Sequence, residues 1–211
     1  IPITTEQEMC TTISSVISKI KDDKEYQNLF YKVYGDSNIN ATKILNAITQ
    51  YELTLVSSDS KYDKVTRNEG ETFTDAENQG YQTFQQKCAN CHSTGIFTDN
   101  TFRNVGFPKS TLVEGNGNPE EGRMRVTGIP ADYQKFRNPS LRNVEYTAPY
   151  GSFGQFATLK DVLDYLDNGV LYADNLDPIL KENGNRIPLT ETEKTNLIAF
   201  MKTLSDKKFV G

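Results

Sequence analysis

Histidine and cysteine are both scarce in this chain. Its 211 residues include one histidine, His92, and three cysteines, of which Cys10 lies far in sequence from the other two. A structural zinc site needs about four Cys, His or carboxylate ligands. With one imidazole and one close pair of thiols, zinc is the less favoured alternative for any metal chemistry of the chain.

Positive charge and long apolar runs are lacking as well. Lysine and arginine number 23 against 28 acidic residues, which gives a net charge of -5. Nucleic-acid binding needs a basic surface to neutralise phosphates, so we expect no nucleic-acid partner. The longest apolar stretch, residues 197–201, is far shorter than the roughly 20 residues of a membrane helix. We therefore expect no membrane span either.

The single histidine completes a C-x-x-C-H motif with Cys88 and Cys91. This spacing is the attachment signature of c-type haem. Two thiols two residues apart can each bond to one vinyl group of a porphyrin, and the next residue offers an imidazole to the iron. We therefore predict one haem c, attached covalently to Cys88 and Cys91, with His92 as an axial iron ligand. A thioredoxin-type dithiol is the alternative, but no βαβ pattern surrounds the motif.

The first segment, residues 1–58, has the apolar periodicity of amphipathic helices. Three faces repeat at helical spacing: Ile13, Val16, Ile17 and Ile20; Tyr26, Leu29, Phe30 and Val33; and Ile44, Ala47, Ile48, Tyr51 and Leu55. Gly35 is placed to end the second helix. Residues 59–73 are rich in charge and predict a polar connector.

The remaining segment, residues 74–211, predicts a second domain built around the motif. A capping box at Thr74 begins a helix that runs into Cys88, and a capping box at Thr190 begins the final helix. Gly80 and Phe84 share a face of the first, which predicts that the last helix crosses close to Gly80. Such a pair of helices is similar to the framework of class I cytochromes c. Residues 93–157 are loop-rich and suit wrapping around a cofactor, and Thr158 begins a further helix that ends before Gly169.

Three runs in the second half carry a family resemblance. Phe-Arg-Asn-Pro-Ser-Leu-Arg-Asn-Val at 136–144, Thr-Ala-Pro-Tyr at 147–150 and Phe-Ala-Thr-Leu at 156–159 resemble the bacterial dihaem cytochrome c peroxidase and MauG family. Residues 57–63, 97–99 and 189–190 agree with the same family. The helices that follow Glu8 and Met9 resemble the tail of its first haem domain. The resemblance implies an all-α fold, with a class I cytochrome c-like domain at 74–211 preceded by helices of a partner haem domain.

The resemblance also implies a function. The chain is expected to be the electron-transferring haem domain of a dihaem cytochrome c peroxidase, which reduces hydrogen peroxide at a second haem upstream of Ile1. This chain alone is then expected to be weak or inactive as an enzyme. A MauG-like dihaem enzyme that oxidises a protein, and a stand-alone monohaem electron-transfer cytochrome, are the alternatives.

The sixth iron ligand is the main departure from the family pattern. Where the family has Met or Tyr, this chain has Leu166, which cannot ligate iron. Tyr165, one step along the helix, and Met124 in a polar loop are the candidates that remain. Ser152 stands where the family commonly has a histidine. In the isolated chain we expect water or an open site at the iron.

Other site residues follow from the resemblance and from side-chain chemistry. We expect Phe97 to line the porphyrin and Arg142, or Arg103, to pair with a haem propionate. The carbonyls of Thr147 and Pro149 match positions that bind calcium between the two haem domains of the family.

Partners and location are further expectations. The donor is expected to be a small electron-transfer protein, either a cytochrome c or a copper protein, and the upstream haem domain is the other partner. A homodimer also fits the family. Covalent haem attachment takes place after export, so we expect the bacterial periplasm, with a lipid anchor as an option.

Overall fold

The computed structural model describes residues 3–6, 8–93, 95–109 and 121–211. The chain divides into two units, Ile1–Val56 and Ser57–Gly211. The first unit contains three helices: α1 (Ile13–Ile20), α2 (Lys24–Tyr34) and α3 (Ala41–Thr54). The helices of the second unit are α4 (Lys61–Thr66), α5 (Asp75–Lys87), α6 (Met124–Thr127), α7 (Leu159–Asn168), α8 (Pro178–Glu182), α9 (Glu191–Lys202) and α10 (Lys207–Val210).

The helices of the first unit begin at polar caps. Thr12, Asp23 and Asn40 each accept a hydrogen bond from a backbone amide in the first turn of α1, α2 and α3, which satisfies a donor that the helix itself cannot. Gly35 ends α2 in the left-handed conformation, with φ of 79°. The three helices predicted from periodicity are therefore confirmed.

The core of the first unit is small. Phe30, Ile39 and Ile44 are its buried apolar residues. Several residues of the predicted apolar faces are instead exposed: Tyr26, Leu29, Val33, Ile48, Tyr51 and Leu55. Within the described residues, much of the apolar faces of α2 and α3 is therefore exposed.

The second unit is organised by the crossing of α5 and α9. A Cβ atom at Gly80 would lie 1.9 Å from the carbonyl oxygen of Asn196 in α9, so only glycine permits this approach. Phe84, Leu197 and Phe200 are buried around the crossing. The close crossing predicted from Gly80 and Phe84 is confirmed. Both predicted capping boxes are formed, with Thr74 and Thr190 as the first residues.

The predicted connector differs from what the structure shows. Residues 59–73 contain α4, which begins with a capping box between Ser60 and Asp63. Tyr62 of this helix is buried in the core of the second unit, where its ring meets Phe97 edge-on at 4.8 Å between centroids. The charged composition predicted a connector at a place where the second unit has a helix.

Short elements occupy the rest of the second unit. Strands β1 (Phe102–Arg103) and β2 (Phe136–Arg137) pair antiparallel, and two 3₁₀ helices cover Pro130–Asp132 and Val144–Tyr146. Helix α7 begins at a capping box of Thr158 and Asp161 and ends at Gly169, as predicted. The described chain is helix-rich with one two-stranded sheet. None of its described helices is long and apolar enough to cross a membrane.

Candidate functional site

An apolar cavity of about 540 Å³ lies beside the C-x-x-C-H motif. Ligand and cofactor cavities in proteins measure about 300–1,000 Å³. Helices α7 and α9 supply much of the apolar wall, through Leu159, Val162, Leu163, Leu166, Leu197 and Met201. Segments 103–107 and 136–152 line other parts of it. The loop-rich stretch therefore contributes to the cavity, in keeping with its predicted role of wrapping a cofactor.

The motif itself forms a tight turn at the end of α5. The Cys88 amide donates to the Phe84 carbonyl at 2.8 Å, and the amides of Cys91 and His92 donate to the Cys88 carbonyl at 3.1 and 2.9 Å. This turn presents both cysteines and the imidazole to the same cavity. The structure thus brings together the three residues that the motif predicts.

The imidazole of His92 is oriented by a backbone carbonyl. Its Nδ1 lies 3.1 Å from the carbonyl oxygen of Phe97. A carbonyl can only accept, so Nδ1 carries the proton and Nε2 keeps its lone pair for a metal. Burial lowers the pKa of His92, although the carbonyls of Phe97 and Pro139 oppose this shift. Iron ligation requires the neutral ring, and burial favours that form.

The two thiols are poorly suited to exchange chemistry. Burial raises the pKa of Cys88 to about 12 and also raises that of Cys91. Catalytic dithiols work through thiolates whose pKa is lowered to about 3.5–7.5. Across the described residues, no three His, Cys, Asp or Glu side chains cluster so as to hold a metal ion. The surroundings thus favour neither the dithiol nor the zinc alternative.

The donor set and the cavity fit a covalently bound haem. Two sulfurs and one metal-ready imidazole line an apolar space of cofactor size. Cys88 and Cys91 would hold the porphyrin, and His92 would bind the iron.

The candidates for the sixth ligand lie in different places. Leu166 lines the cavity. The hydroxyl of Tyr165 instead donates to the Gly106 carbonyl at 2.9 Å and accepts from the Leu171 amide at 3.3 Å. Met124 lies in α6, outside the cavity lining. The methionine that does line the cavity is Met201, which also belongs to the buried core of the second unit.

Phe97 and Arg142 serve the site differently from the prediction. The Phe97 ring is fully buried in the core, and its carbonyl rather than its ring contacts His92. Arg142 forms a two-point ion pair with Asp63, at 2.7 and 2.9 Å, and does not line the cavity. The carboxylate partner expected from a haem propionate is supplied by the protein itself.

Arg103 does line the cavity, but two protein carboxylates already bind it. Its guanidinium lies 2.6 Å from Asp177 and 2.5 Å from Asp99. Thr147, Pro149 and Ser152 also line the cavity, and calcium binding at the carbonyls of Thr147 and Pro149 stays a prediction.

Comparison with known proteins supplies a family. A family model described as "Di-haem cytochrome c peroxidase" matches residues 1–71. The methylamine utilization protein MauG of Methylophilus methylotrophus is 27% identical over 208 residues, covering 97% of this chain and 59% of that protein. Cytochrome c551 peroxidase of Nitrosomonas europaea is 30% identical over 205 residues, covering 97% and 56%. The chain thus spans somewhat more than half the length of these curated relatives.

Solved structures agree with this result. A MauG-like protein associated with microbial copper homeostasis superimposes with a TM-score of 0.84 at 26% identity, over all of this chain and 68% of that one. The diheme peroxidase BthA from Burkholderia thailandensis gives a TM-score of 0.75 at 18% identity, over all of this chain and 63% of that one, and supports the fold alone. The matched family consists of haem oxidoreductases, and its cofactor is haem c. These matches and the motif geometry support the di-haem cytochrome c peroxidase and MauG family for this chain.

Proposed function

We propose that this chain carries the electron-transferring c-type haem of a dihaem cytochrome c peroxidase, an enzyme that reduces hydrogen peroxide. One observation carries the proposal: Cys88, Cys91 and His92 meet at one apolar cavity of about 540 Å³. Haem bound there would supply a one-electron redox centre. The chain's own residues would fix its position through two thioether bonds and exclude water with the apolar walls of α7 and α9.

The polar groups of the cavity favour a relay over a peroxide-cleaving site. Cleavage of the peroxide O–O bond needs a poised acid or base, which contributes about 10²- to 10⁴-fold to the rate. His92 is oriented toward iron binding. Among the described residues, the cavity carboxylate is Asp177, which already accepts from Arg103 at 2.6 Å and from the Ile179 amide at 3.0 Å. Lys87, also at the cavity, pairs with Glu193.

The proposal extends to location and partners. Haem becomes covalently attached after export, so we place the protein in the bacterial periplasm. A small cytochrome c or copper protein would donate electrons to the haem at His92. That haem would pass them to the peroxide-binding haem of the family's other haem domain.

Haem attachment is the first test. The protein, produced with the c-type haem maturation machinery, should keep its haem through acid-acetone extraction and show the mass of polypeptide plus one haem. Replacing both Cys88 and Cys91 with Ala should make the haem extractable. A bare polypeptide mass for the unsubstituted chain would overturn the assignment.

Turnover separates the relay from the catalytic role. The haem-loaded chain should accept electrons from a reduced donor but reduce peroxide slowly. A protein that also carries the family's other haem domain should turn over at least 10²-fold faster, by about the contribution of a missing acid or base. Equal turnover in the two would place peroxide cleavage at His92 instead.

A MauG-like protein-oxidising role is the second candidate. It is favoured by the TM-score of 0.84 to a MauG-like protein, at 26% identity. The two functions differ in the source of electrons, which is a soluble donor in one case and an amino-acid side chain of a substrate protein in the other. Peroxide consumption that needs no added electron donor, with oxidised side chains in a co-purified protein, would select this second role.

A further inference from the structure

Arg142 binds the loop at residues 95–97, which follows the C-x-x-C-H motif. Its Nε and Nη2 donate to the carbonyl of Gly95 at 3.0 and 2.8 Å. The same guanidinium donates to both carboxylate oxygens of Asp63, from Nη1 at 2.9 Å and from Nη2 at 2.7 Å. The two side chains are only 15% and 8% exposed. Arg142 thus joins α4 to the loop through a partly buried, two-point ion pair, the strongest geometry for such a contact.

Asp63 is itself held rigidly, so it can act as an anchor. It is the third residue of α4, and its Oδ2 accepts from the Ser60 amide at 3.0 Å and the Ser60 hydroxyl at 2.7 Å. Burial alone would raise the pKa of Asp63, but the bonds from Arg142 and Ser60 outweigh it and lower the pKa to about 2. The carboxylate is therefore ionised at neutral pH.

The loop has a backbone conformation that needs such support. Phe97 has φ of 55°, in the left-handed region that a non-glycine residue rarely adopts. Backbone of this kind persists only where the surroundings fix it. Here the Ser140 hydroxyl donates to the Ile96 carbonyl at 2.6 Å, and the Arg142 guanidinium lies 5.8 Å from the centroid of the Phe97 ring.

These contacts lead from Asp63 through Arg142 and the loop to the imidazole of His92. The Phe97 carbonyl, two residues beyond the Gly95 carbonyl that Arg142 holds, accepts from Nδ1 of His92 at 3.1 Å. We infer that Arg142, anchored by Asp63, is a positioning residue for the axial histidine. It fixes the carbonyl that orients His92 and thereby tunes the reduction potential of the iron. The inference rests on the proposed function in one respect, that His92 binds iron.

The direction of the effect follows from ligand basicity. A hydrogen bond from Nδ1 makes Nε2 a stronger donor to the metal. A stronger donor stabilises ferric over ferrous iron, so the intact contact keeps the potential low. Loosening the Phe97 carbonyl should therefore raise the potential.

The test uses Arg142→Gln in the haem-loaded protein. The equilibrium between the two oxidation states should shift at least threefold toward the ferrous form, about 30 mV for one electron, since tenfold is about 59 mV. The ring N–H proton of His92, followed by NMR, should also exchange faster with solvent. Arg142→Lys keeps the positive charge but cannot form the two-point ion pair with Asp63. It should shift the potential and the exchange rate less than Arg142→Gln does.

Lys61→Met is the matched control. Lys61 lies on the same helix as Asp63 and pairs with Glu77 at 2.7 Å on the neighbouring helix α5. Within the described residues, the hydrogen bonds and the ion pair of its ammonium go to Glu77, not to the loop at 95–97 or to His92. This variant also loses a partly buried ion pair of α4, yet it should keep the parent's potential and N–H exchange rate.

Two outcomes would overturn the inference. One is a folded, haem-loaded Arg142→Gln protein with the parent's potential and exchange rate. The other applies if that variant does not fold: Ser140→Ala, which removes the bond to the Ile96 carbonyl and the acceptor of the Arg142 amide, would then show no shift in either readout. A parent protein without covalent haem, or with iron not bound by His92, would instead refute the proposed function, and its mass and spectrum reveal this before any variant is made.

Discussion

Replacing Gly80 with Ala should weaken the second unit more than any other single methyl group added to α5. The new Cβ would lie 1.9 Å from the Asn196 carbonyl oxygen, 2.5 Å from its carbonyl carbon and 2.9 Å from Cβ of Phe200. Non-bonded heavy atoms prefer separations near 3.5–4.0 Å. Two of the three atoms belong to helix backbone and cannot rotate aside, so α5 and α9 must move apart.

The cost can be worked out from two opposing effects. Overpacking in a well-packed core costs about 1–3 kcal/mol and occasionally more. Alanine gains about 1 kcal/mol over glycine from helix propensity. Because separation would also loosen Phe84, Leu197 and Phe200, which are at most 1% exposed, we place the cost at the upper end or beyond. The net loss should be about 2–3 kcal/mol, or about 5–10 °C in Tm for a unit of this size.

Thermal and urea unfolding of the haem-loaded chain would measure this loss. Gln86→Ala, at an exposed position of the same helix, is the control and should change stability by less than about 0.5 kcal/mol. The proposed haem spectrum should stay that of a c-type protein, because the substitution lies two helical turns before Cys88. A Gly80→Ala protein as stable as the parent would refute the close helix crossing.

Three further predictions follow from the site. Leu166→Met should convert the iron to a low-spin, methionine-bound form, whereas Met201→Leu should leave the spectrum unchanged; a spectral change with the second variant would identify Met201 as the sixth ligand. Acid should weaken the protein partly through Asp63: its lowered pKa stabilises the fold above the usual pKa of 3.8, and this contribution of about 2 kcal/mol is lost as pH falls through about 2. Between pH 5 and pH 2, the free energy of unfolding measured in urea should therefore fall more steeply with decreasing pH for the parent than for Asp63→Asn. Finally, cyanide or carbon monoxide should bind the isolated chain's iron even though its peroxide turnover is slow, which absorbance titration would show.

Local signals explain what the sequence predicts well. The C-x-x-C-H motif, the capping boxes at Thr74 and Thr190, and the glycine that permits a helix crossing all act over a few residues. Helix α4 is the exception among local features. Its charged composition indicated a connector, yet Ser60 and Asp63 have the spacing of a capping box, and that signal could have identified the helix.

Side-chain contacts between residues that are far apart in the sequence cannot be predicted from local patterns. An arginine in a haem-binding domain suggests a propionate partner because guanidinium binds carboxylates of any origin. Arg142 instead binds a carboxylate 79 residues earlier in the chain. Likewise, Met201 and Leu197 share one face of α9, but periodicity cannot distinguish a core contact from a cavity wall.

Phe97 shows why the fold and the site cannot be separated in this unit. Its ring packs against Phe84 and Phe200, at centroid distances of 5.7 and 6.3 Å, so the α5–α9 crossing holds it in place. Its left-handed backbone and the bonds of Arg142 then fix the carbonyl that accepts the hydrogen bond from Nδ1 of His92. The aromatic residue therefore contacts His92 through its backbone, while its side chain belongs to the core. A substitution that loosens the crossing should disturb the histidine as well, whereas one at Arg142 should disturb the histidine with the crossing intact.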